Sequence, residues 1–437
     1  MIYNEKWPLK KLNECCEYIS RGKQPKYVEF SEVKTLNQKA IQWGIIDKKA
    51  LKYHNSEITV AKKHFILKDD IVLNSTGTGT VGRCYYFSEK PTENFFADSH
   101  VTIIRTKKDV LLPAFLYYQL STTHYQELIY SSFLAGSTGQ VELNKSKVQE
   151  FPVYTPDVTI QEKIVNILKV LDEKIKNNTK SIATLEQLSQ TIFKQWFIDF
   201  EFPNEKGKPY KSSGGEMVES ELGEIPKGWQ CLKLGEINCV ISDHVANGSF
   251  KSLKNNVVFT ELPNERYALF ARNTDLKKNL MGELKYITKE SYDFLKKSQL
   301  FGGEIIISNV GDVGTIHRCP TLNVPMVLGN NQIYIHSEKE FYNEYFYLLL
   351  KSNMGKNLIN SITSGSVQMK FNKTDFRNSK IVLPSDYVLK SSFSELKNVL
   401  DLIEILNSEI KKLQKLRDTL VPKLLSGEIE IPDEFEV

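Results

Sequence analysis

The stretch of sequence that decides the fold is IQEKIVNILKVLDEKIKNNTKSIATLEQLSQTIFKQWF, residues 160–197. Apolar side chains recur along it in alternating steps of four and three, except where Asn178 and Ser189 interrupt, and they are Ile164, Leu168, Leu171, Ile175, Ile182, Leu185, Ile192 and Trp196. This spacing predicts one apolar stripe along a helix of roughly 38 residues, about 57 Å long at ~1.5 Å per residue. A stripe of that length has to be covered by a partner.

A second stretch with the same pattern lies near the end of the chain, 228 positions later, after Pro384 instead of Pro156. Its stripe consists of Leu396, Val399, Ile403, Leu406, Ile410, Leu413, Leu420 and Leu424, with Arg417 in place of Ser189. Each stretch has a candidate capping box, Thr159 with Glu162 and Ser392 with Glu395. Two long helices of matching phase in one chain predict an antiparallel intramolecular coiled coil, whereas a single such helix is more often ordinary core.

The bulk composition is that of a globular protein with room for two to four domains, because 41% of the 437 residues are hydrophobic and 25% are charged. No run of about 18 apolar residues occurs, and the start MIYNEKWPLKKL lacks the apolar core of a secretion signal, so we expect a cytoplasmic protein without a membrane segment. The six cysteines form no C-x-x-C pair, which argues against zinc or a disulfide framework. The net charge of +4 permits nucleic-acid binding without demanding it.

The chain is a tandem duplication. The opening WPLKKLNE at Trp7 recurs as WQCLKLGE at Trp229, and both predict a short strand that begins a domain. FLYYQL from Phe115 matches YFYLLL from Tyr345 as a short helix. AGSTGQVELNKSKV and SGSVQMKFNKTDF follow as polar turns, and from there the copies run in register at 228 into the long helices.

A glycine-rich turn follows a buried strand in each copy, in DDIVLNSTGTGTVGRCYYF from Asp69 and in GEIIISNVGDVGTIHRC from Gly303. An offset of 235 pairs Gly79, Thr80, Val81, Arg83 and Cys84 with Gly314, Thr315, Ile316, Arg318 and Cys319. Residues 77–82 read G-x-G-x-x-G, but the continuation CYYF is strand-like where a dinucleotide fold needs a helix. The pattern therefore predicts a strand, glycine turn, strand hairpin in both copies.

These repeats predict an α+β fold with two tandem mixed α/β domains, separated by the antiparallel coiled coil and related by pseudo-twofold symmetry. The stretch between the copies is rich in Gly, Ser, Pro and charge, which predicts an irregular linker. The predicted parts are a first domain 1–156, a central helix 157–200, a linker 201–228, a second domain 229–384, a C-terminal helix 385–427 and a tail 428–437.

No catalytic constellation stands out. Neither the Asp/Asn-Pro-Pro-aromatic motif of amino-methyltransferases nor a G-x-x-x-x-G-K-[ST] phosphate loop occurs. The nearest nuclease-like pattern combines Pro156-Asp157 with Asp172-Glu173-Lys174, whose charges flank the helix stripe and are explained by solvation. The pattern is typical of a binding scaffold, and a stand-alone nuclease or a methyltransferase-fused recognition protein is the alternative.

The order of elements resembles the specificity subunits of Type I restriction-modification enzymes over essentially the whole chain. The resemblance is carried by the doubled W-x-x-x-K-L openings, the glycine hairpins, the GSTGQ and SGSVQ turns, the linker GKPYKSSGGEMVESELGEIPKGW and the ending LRDTLVPKLLSGEI. It implies a non-catalytic subunit whose two target-recognition domains each read one part of a split double-stranded DNA sequence.

The resemblance also implies the partners. The long helices would act as a spacer and as the dock for two modification (methyltransferase) subunits, through which restriction (translocase and nuclease) subunits join. Those partners would use S-adenosylmethionine, ATP and Mg²⁺ for DNA methylation at adenine N6 and for cleavage. This chain itself would bind no cofactor and no metal.

Side chains on loops that can address base edges are the candidate DNA-binding residues. In the first copy they are Arg21, Lys23, Thr76, Thr78, Thr80, Arg83, Ser137, Thr138 and Gln140. In the second copy they are Arg272, Asn309, Asp312, His317, Arg318, Ser366, Gln368 and Lys370. The alternative for the Ser and Thr residues is that they satisfy their own backbone in glycine turns.

The candidate partner-binding residues are Phe193, Trp196 and Phe197 at the end of the first long helix, with Leu424 and Leu425 at the end of the second. The run FKQWF is more aromatic than a coiled-coil stripe requires, and aromatic side chains are common interface anchors. Packing of the same aromatics against the neighbouring recognition domain explains them equally well.

Overall fold

The computed structural model describes residues 7–134, 141–365 and 368–432. The chain forms two compact units, Met1–Lys176 with Lys412–Val437, and Asn177–Lys411. Each unit contains one globular domain and a segment of both long helices. Among the described residues, none of the helices is long and apolar enough to cross a membrane.

The strands of the first unit are β1 Leu9–Lys11, β2 Cys16–Arg21, β3 Tyr27–Val28, β4 Val33–Leu36, β5 Ile41–Gln42, β6 Ile45–Ile46, β7 Lys52–His54, β8 Ile71–Asn74, β9 Cys84–Tyr86, β10 Phe95–Ala97, β11 Val101–Thr106 and β12 Pro152–Tyr154. The helices that begin in it are α1 Pro113–Ser121, α2 Thr123–Leu128, α3 Lys145–Gln149 and the long α4 Val158–Phe193.

The strands of the second unit are β13 Met217–Val218, β14 Ile225–Pro226, β15 Gln230–Lys233, β16 Val240–Asp243, β17 Phe259–Thr260, β18 Ala268–Ala271, β19 Tyr286–Ile287, β20 Gln299–Leu300, β21 Ile305–Ser308, β22 Ile316–Arg318, β23 Met326–Leu328, β24 Gln332–His336 and β25 Lys380–Leu383. Its helices are α5 Phe250–Asn256, α6 Asn273–Lys277, α7 Lys289–Phe294, α8 Glu340–Lys351, α9 Asn353–Ile362, α10 Lys373–Asn378 and the long α11 Asp386–Leu425, which ends in the first unit.

The first domain is built on two four-stranded sheets. One is antiparallel in the order β2-β11-β8-β9, and its apolar runs, such as IVLN in β8, are buried on both faces. The other has the order β10-β4-β7-β3, with β10 parallel to β4. Strand β1 pairs with β12, so the start of the domain lies beside its end, directly before α4. Phe115 and Phe151 are fully buried in the core behind the first sheet.

The second domain repeats this design, which confirms the predicted duplication. Its antiparallel sheet has the order β16-β24-β21-β22, and β15 pairs with β25 as β1 pairs with β12. Its other sheet, β17-β19-β18-β23-β20, again contains one parallel pair, β18 with β23. Asn144 and Asn372, matched by the offset of 228, cap α3 and α10 by accepting hydrogen bonds from Lys147 N and Asp375 N.

The glycine hairpins are present in both copies as predicted, but their residue-by-residue pairing differs from the sequence match. Asn74 O and Ser308 O accept hydrogen bonds from Gly82 N and Gly314 N, both at 2.9 Å. Leu73 pairs with Cys84, and Ile307 pairs with Ile316. Ile316 is therefore equivalent to Cys84, and the second turn is two residues shorter. The offset of 235 from the sequence match is therefore wrong in this hairpin. It pairs Arg318 with Arg83, three residues away from its structural equivalent.

The long helices span Val158–Phe193 and Asp386–Leu425. Helix α4 ends in a π-helical turn at Lys194–Ile198, and α4 and α11 each begin two residues after the predicted proline. The proposed capping boxes are wrong. The first turn of α4 is closed by the carbonyl of Asp157, which accepts from Ile160 N and Gln161 N, and Ser385 Oγ accepts from Val388 N at 3.4 Å.

The two long helices pair antiparallel in each unit, as predicted. In the first unit Asp172 lies 2.9 Å from the Arg417 guanidinium, and the start of α4 shares a core with the end of α11 through Ile164, Leu168, Val421 and Leu424. In the second unit the Asn178 amide donates to Glu409 at 2.8 Å, and Ile182 and Leu185 pack on the cluster that contains Leu400 and Ile403. The polar residues Asn178 and Arg417, which interrupt the apolar stripes, are therefore each paired with a residue of the other long helix. These pairs specify the register of the helix pair.

The segment predicted as an irregular linker, 201–228, belongs to the second unit and packs on its core. It contains the β13-β14 hairpin, and the Phe202 ring stacks on Trp229 and Tyr210 with centroids 5.2 and 4.6 Å apart. Much of the segment outside this hairpin has no regular secondary structure, and its composition did not reveal that Phe202 and Ile225 are core residues.

Candidate DNA interface and partner surface

In the first domain the glycine turn carries a small polar cluster. The Thr76 hydroxyl donates to Gln38 Oε1 at 2.8 Å and lies 2.9 Å from His100 Nδ1. The Arg83 guanidinium donates to Gln42 Oε1 and to the carbonyl of Gly79, both at 2.7 Å. These contacts place amide, imidazole and guanidinium groups, the types that read base edges, around one loop.

The other predicted residues of this domain differ in their contacts. Thr80 donates to the carbonyl of Thr76 at 2.9 Å, which is the structural role expected of a threonine in a turn. Arg21 binds Glu142 at 2.6 Å and the carbonyl of Leu143 at 2.8 Å. Thr78 and Lys23 are exposed. Ser137, Thr138 and Gln140 lie outside the described residues.

The second domain has a corresponding cluster at its glycine turn. Asp312 pairs with Lys277 and accepts from the amide of Asn273 at 3.2 Å. His317 Nε2 lies 2.8 Å from Asn273 Oδ1. Burial, reinforced by the nearby Lys351 and Lys277, lowers the pKa of His317 to about 4, so the imidazole is neutral near pH 7.

The other side chains near this turn have separate environments. The Asn309 amide donates to the carbonyl of Phe371 at 3.0 Å. Gln368 and Lys370 are exposed beside the turn, and the backbone of Lys370 pairs with Ser364. Ser366 lies outside the described residues.

Two predicted arginines are engaged inside the second domain. Arg272 forms a bidentate contact with Asp275 at 2.6–2.7 Å, which anchors the start of α6. Arg318 lies 2.6 Å from Glu344 of α8 and 2.9 Å from Glu404 of α11, and its side chain is only 17% exposed. The interpretation of Arg318 as the counterpart of Arg83 is wrong, because Arg83 is equivalent to Thr315. DNA contact by either arginine stays a prediction.

Four of the five predicted partner-binding residues are buried within their own units. Phe193 is 0% exposed, and its ring lies 5.6 Å from Tyr345. Phe197 packs on Tyr345 and Trp229. Leu424 and Leu425 belong to the core of the first unit. Phe193 and Phe197 therefore make the contacts that the packing alternative for the FKQWF run describes, and Trp196 alone of the five is half-buried. Docking of a partner on these residues stays a prediction.

The sequence interpretation missed Gln38, Gln42, His100 and Asn273, which lie in segments that differ between the copies. It also missed a basic region over residues 23–68, which holds ten lysines against four acidic residues, whereas the whole chain has a net charge of only +4. Nine of those lysines are exposed. Counting charge by segment would have found this basic segment, whose composition is typical of contact with a phosphate backbone.

The carboxylate considered for catalysis has a structural role. Asp172 accepts a hydrogen bond from the Tyr118 hydroxyl at 2.7 Å and pairs with Arg417 at 2.9 Å, which ties α1 and both long helices together. Within the described ranges, no group of three or more His, Cys, Asp or Glu side chains is arranged to hold a metal ion. The arrangement is that of a scaffold with a polar glycine turn in each domain and a segment rich in exposed lysines in the first.

Two copies of one recognition fold, each with a polar glycine turn and each packed on paired long helices, define a DNA-recognition scaffold. A family model for the Type I restriction modification DNA specificity domain matches residues 4–187 and 226–415. The chain belongs to this family, and it is a Type I restriction-modification specificity subunit with two recognition domains.

Named relatives support this over most of the chain. The HindI specificity subunit of Haemophilus influenzae is 24% identical over 84% of this chain and 88% of its own length. The MjaIX specificity subunit of Methanocaldococcus jannaschii is 27% identical over 75% of this chain and 71% of its own. The crystal structure of a Type I restriction-modification system S subunit from M. genitalium covers 100% of this chain and 99% of its own with a TM-score of 0.53 at 15% identity, which shows the shared fold.

Proposed function

We propose that this chain reads a bipartite double-stranded DNA target, with one half-site recognised by each domain. The observation that carries this proposal is the duplication itself: the same sheet order, the same hairpin and a polar cluster at the same turn occur twice in one chain. Two domains with the same fold but different side chains at the glycine turn fit a target whose two halves differ in sequence.

The long helices act as the spacer between the half-sites. Helix α4 contains 36 residues, which corresponds to about 54 Å at ~1.5 Å per residue. Half-sites on one face of B-DNA are separated by about 34 Å per helical turn, so a helix pair of this length is sufficient when tilted. Pairing of Asp172 with Arg417 in the first unit and of Asn178 with Glu409 in the second specifies the register of the helix pair within each unit.

The partners complete the activity. Two methyltransferase subunits dock on the helices and bring S-adenosylmethionine and the catalytic residues for adenine N6 methylation. Restriction subunits join through them and use ATP and Mg²⁺. The chain contributes recognition, binds no cofactor of its own and acts in the cytoplasm.

Methylation mapping tests the proposed function. Co-expression of the full chain with its methyltransferase subunit is expected to methylate adenines within one two-part sequence separated by a fixed gap of unspecified bases. Single-molecule sequencing of the host genome measures this directly. A continuous motif without a gap contradicts the proposal, and so does Mg²⁺-dependent cutting by the purified chain that is lost in Asp172→Ala.

Docking on the helices gives a separate prediction. Leu402 and Ile405 lie three residues apart on α11 and are 42% and 62% exposed. Ile405→Asp is expected to weaken methyltransferase binding by about 30-fold or more, since interface anchors contribute ~2 kcal/mol or more, while thermal stability stays close to wild type. Surface plasmon resonance with the methyltransferase subunit measures the affinity.

The matched control is Leu262→Asp, because Leu262 is 56% exposed in a loop of the second domain. Equal losses for Ile405→Asp and Leu262→Asp mean that the effect is not specific to the helix. Trp196→Ala tests the remaining aromatic candidate, and full assembly of that variant removes Trp196 from the docking surface.

A further inference from the structure

Gln38 and Asn273 occupy the same structural position in the two domains. In the first, Leu36 pairs with Ala97 in the parallel strands, and Leu36 O accepts from Asp98 N. In the second, Ala271 pairs with Leu328, and Ala271 O accepts from Gly329 N. Leu36 and Ala271 are therefore equivalent, and a side-chain amide follows two residues after each.

Each amide is held against the glycine turn of its own domain. Gln38 Oε1 accepts from the Thr76 hydroxyl, and Asn273 Nδ2 donates to Asp312. The turn makes room for this contact: a Cβ atom built on Gly77, whose φ is +95°, lies 3.0 Å from Gln38 Oε1 and 2.5 Å from Thr80 Oγ1. Two amides at one position, both bonded to the loop that the fold duplicates, point to a shared role.

Each side-chain amide has an acceptor and a donor position left for a hydrogen bond to adenine. Adenine is read by a side-chain oxygen that accepts from N6 and a nitrogen that donates to N7. Gln38 Oε1 has a second lone pair, and its nitrogen donates to no residue in the described part of the chain. The neutral His317 donates one hydrogen bond to Asn273 Oδ1, and Asp312 takes one N–H, so one acceptor and one donor position remain. Both residues are only half-buried.

We propose that Gln38 and Asn273 each specify one adenine, one in each half of the bipartite target. The inference rests on the proposed function and adds the base and the residue that reads it. Thr76 in the first domain, and Asp312 with His317 in the second, are positioning residues that hold the amides in the orientation required for a bidentate contact.

The test uses the complete complex with its methyltransferase subunit and compares methylation motifs. Gln38→Ala is expected to relax an adenine preference at one position of one half-site, and Asn273→Ala at one position of the other. The loss of discrimination is on the order of 5- to 150-fold, as for a good bidentate contact. All other positions keep their preference.

Further variants separate reading from folding. Gln38→Glu keeps the oxygen that accepts from Thr76 but removes the N–H donor, so it is expected to lose the adenine preference while its melting temperature stays close to wild type. Asn273→Ser retains a small polar group at the second position and is expected to lose the preference likewise. Asn94→Ala and Asn323→Ala, exposed amides just before β10 and β23, are controls expected to leave the motif unchanged.

Three results overturn the inference: an unchanged motif in the variants, a uniform fall in methylation with the motif intact, or relaxation of the same half-site by both. Absence of any two-part motif in the wild-type complex is a different result, because it contradicts the proposed function itself.

Discussion

Phe193→Ala is expected to lower the free energy of unfolding of the second unit by about 3–5 kcal/mol, the usual cost of removing a buried phenylalanine ring. The ring is fully buried at the end of α4, with its centroid 5.1 Å from that of Phe197 and 5.6 Å from that of Tyr345 on α8. It joins the long helix to the second recognition domain. Its loss therefore removes apolar burial and leaves a cavity at the junction. Urea unfolding followed by tryptophan fluorescence measures the change.

Leu188→Ala is the matched control, since Leu188 lies on the same helix and is 45% exposed. Its expected effect is within about 0.5 kcal/mol, because an exposed leucine contributes little to the core. If Phe193→Ala is no more destabilising than Leu188→Ala, the aromatic cluster does not seat the helix on the domain.

The long helices and their pairing were predictable because one physical signal, a stripe at alternating steps of three and four, determines helix, phase and need for a partner. The same signal does not indicate which part of the protein buries the apolar side chains at the ends of each helix. The run FKQWF therefore allowed both a docking surface and a domain contact, and the structure resolves Phe193 and Phe197 as domain contacts. Burial by a distant domain leaves no periodic trace in the sequence.

In the glycine hairpin, by contrast, the sequence match was clear but paired the wrong residues. A sequence alignment pairs Arg83-Cys84 with Arg318-Cys319 because the residue types are identical. The strand register depends on backbone hydrogen bonds, which residue types alone do not reveal. A shift of three residues places Arg318 where Tyr86 lies in the first domain. The amides Gln38 and Asn273 were missed because they lie in segments without sequence similarity, where equivalence is visible only through the parallel strand pairs.

The carboxyl of Glu344 is expected to make the stability of the second unit depend on pH. Its side chain is 5% exposed and lies 2.6 Å from Arg318. Burial raises the pKa of Glu344 to about 7; Arg318 offsets part of that effect, and the carboxylates of Asp401 and Glu404 add to it. The folded state therefore holds this proton more tightly than the unfolded state. The resulting stabilisation is complete below about pH 4.5 and is lost as the pH rises through about 7.

The measurement compares wild type with Glu344→Gln, which removes the titrating group and keeps an oxygen for Arg318. Between pH 5 and pH 8 the free energy of unfolding of the wild type is expected to fall by roughly 2–3 kcal/mol relative to the variant, at ~1.4 kcal/mol per pKa unit. Urea unfolding at several pH values gives both curves. Parallel curves mean that Glu344 does not change its protonation in this range.

Arg318→Ala shows what the ion pair contributes when Glu344 is charged. At pH 8 the substitution leaves a buried carboxylate without its counterion, with an expected loss of about 3–5 kcal/mol. At pH 5 the carboxyl is protonated, so the loss is expected to be smaller. The double variant Arg318→Ala with Glu344→Gln is expected to recover part of the stability at pH 8, because the unpaired charge is gone. Additive losses in the double variant would show instead that Arg318 stabilises the domain through Asp401 and Glu404 of α11 alone.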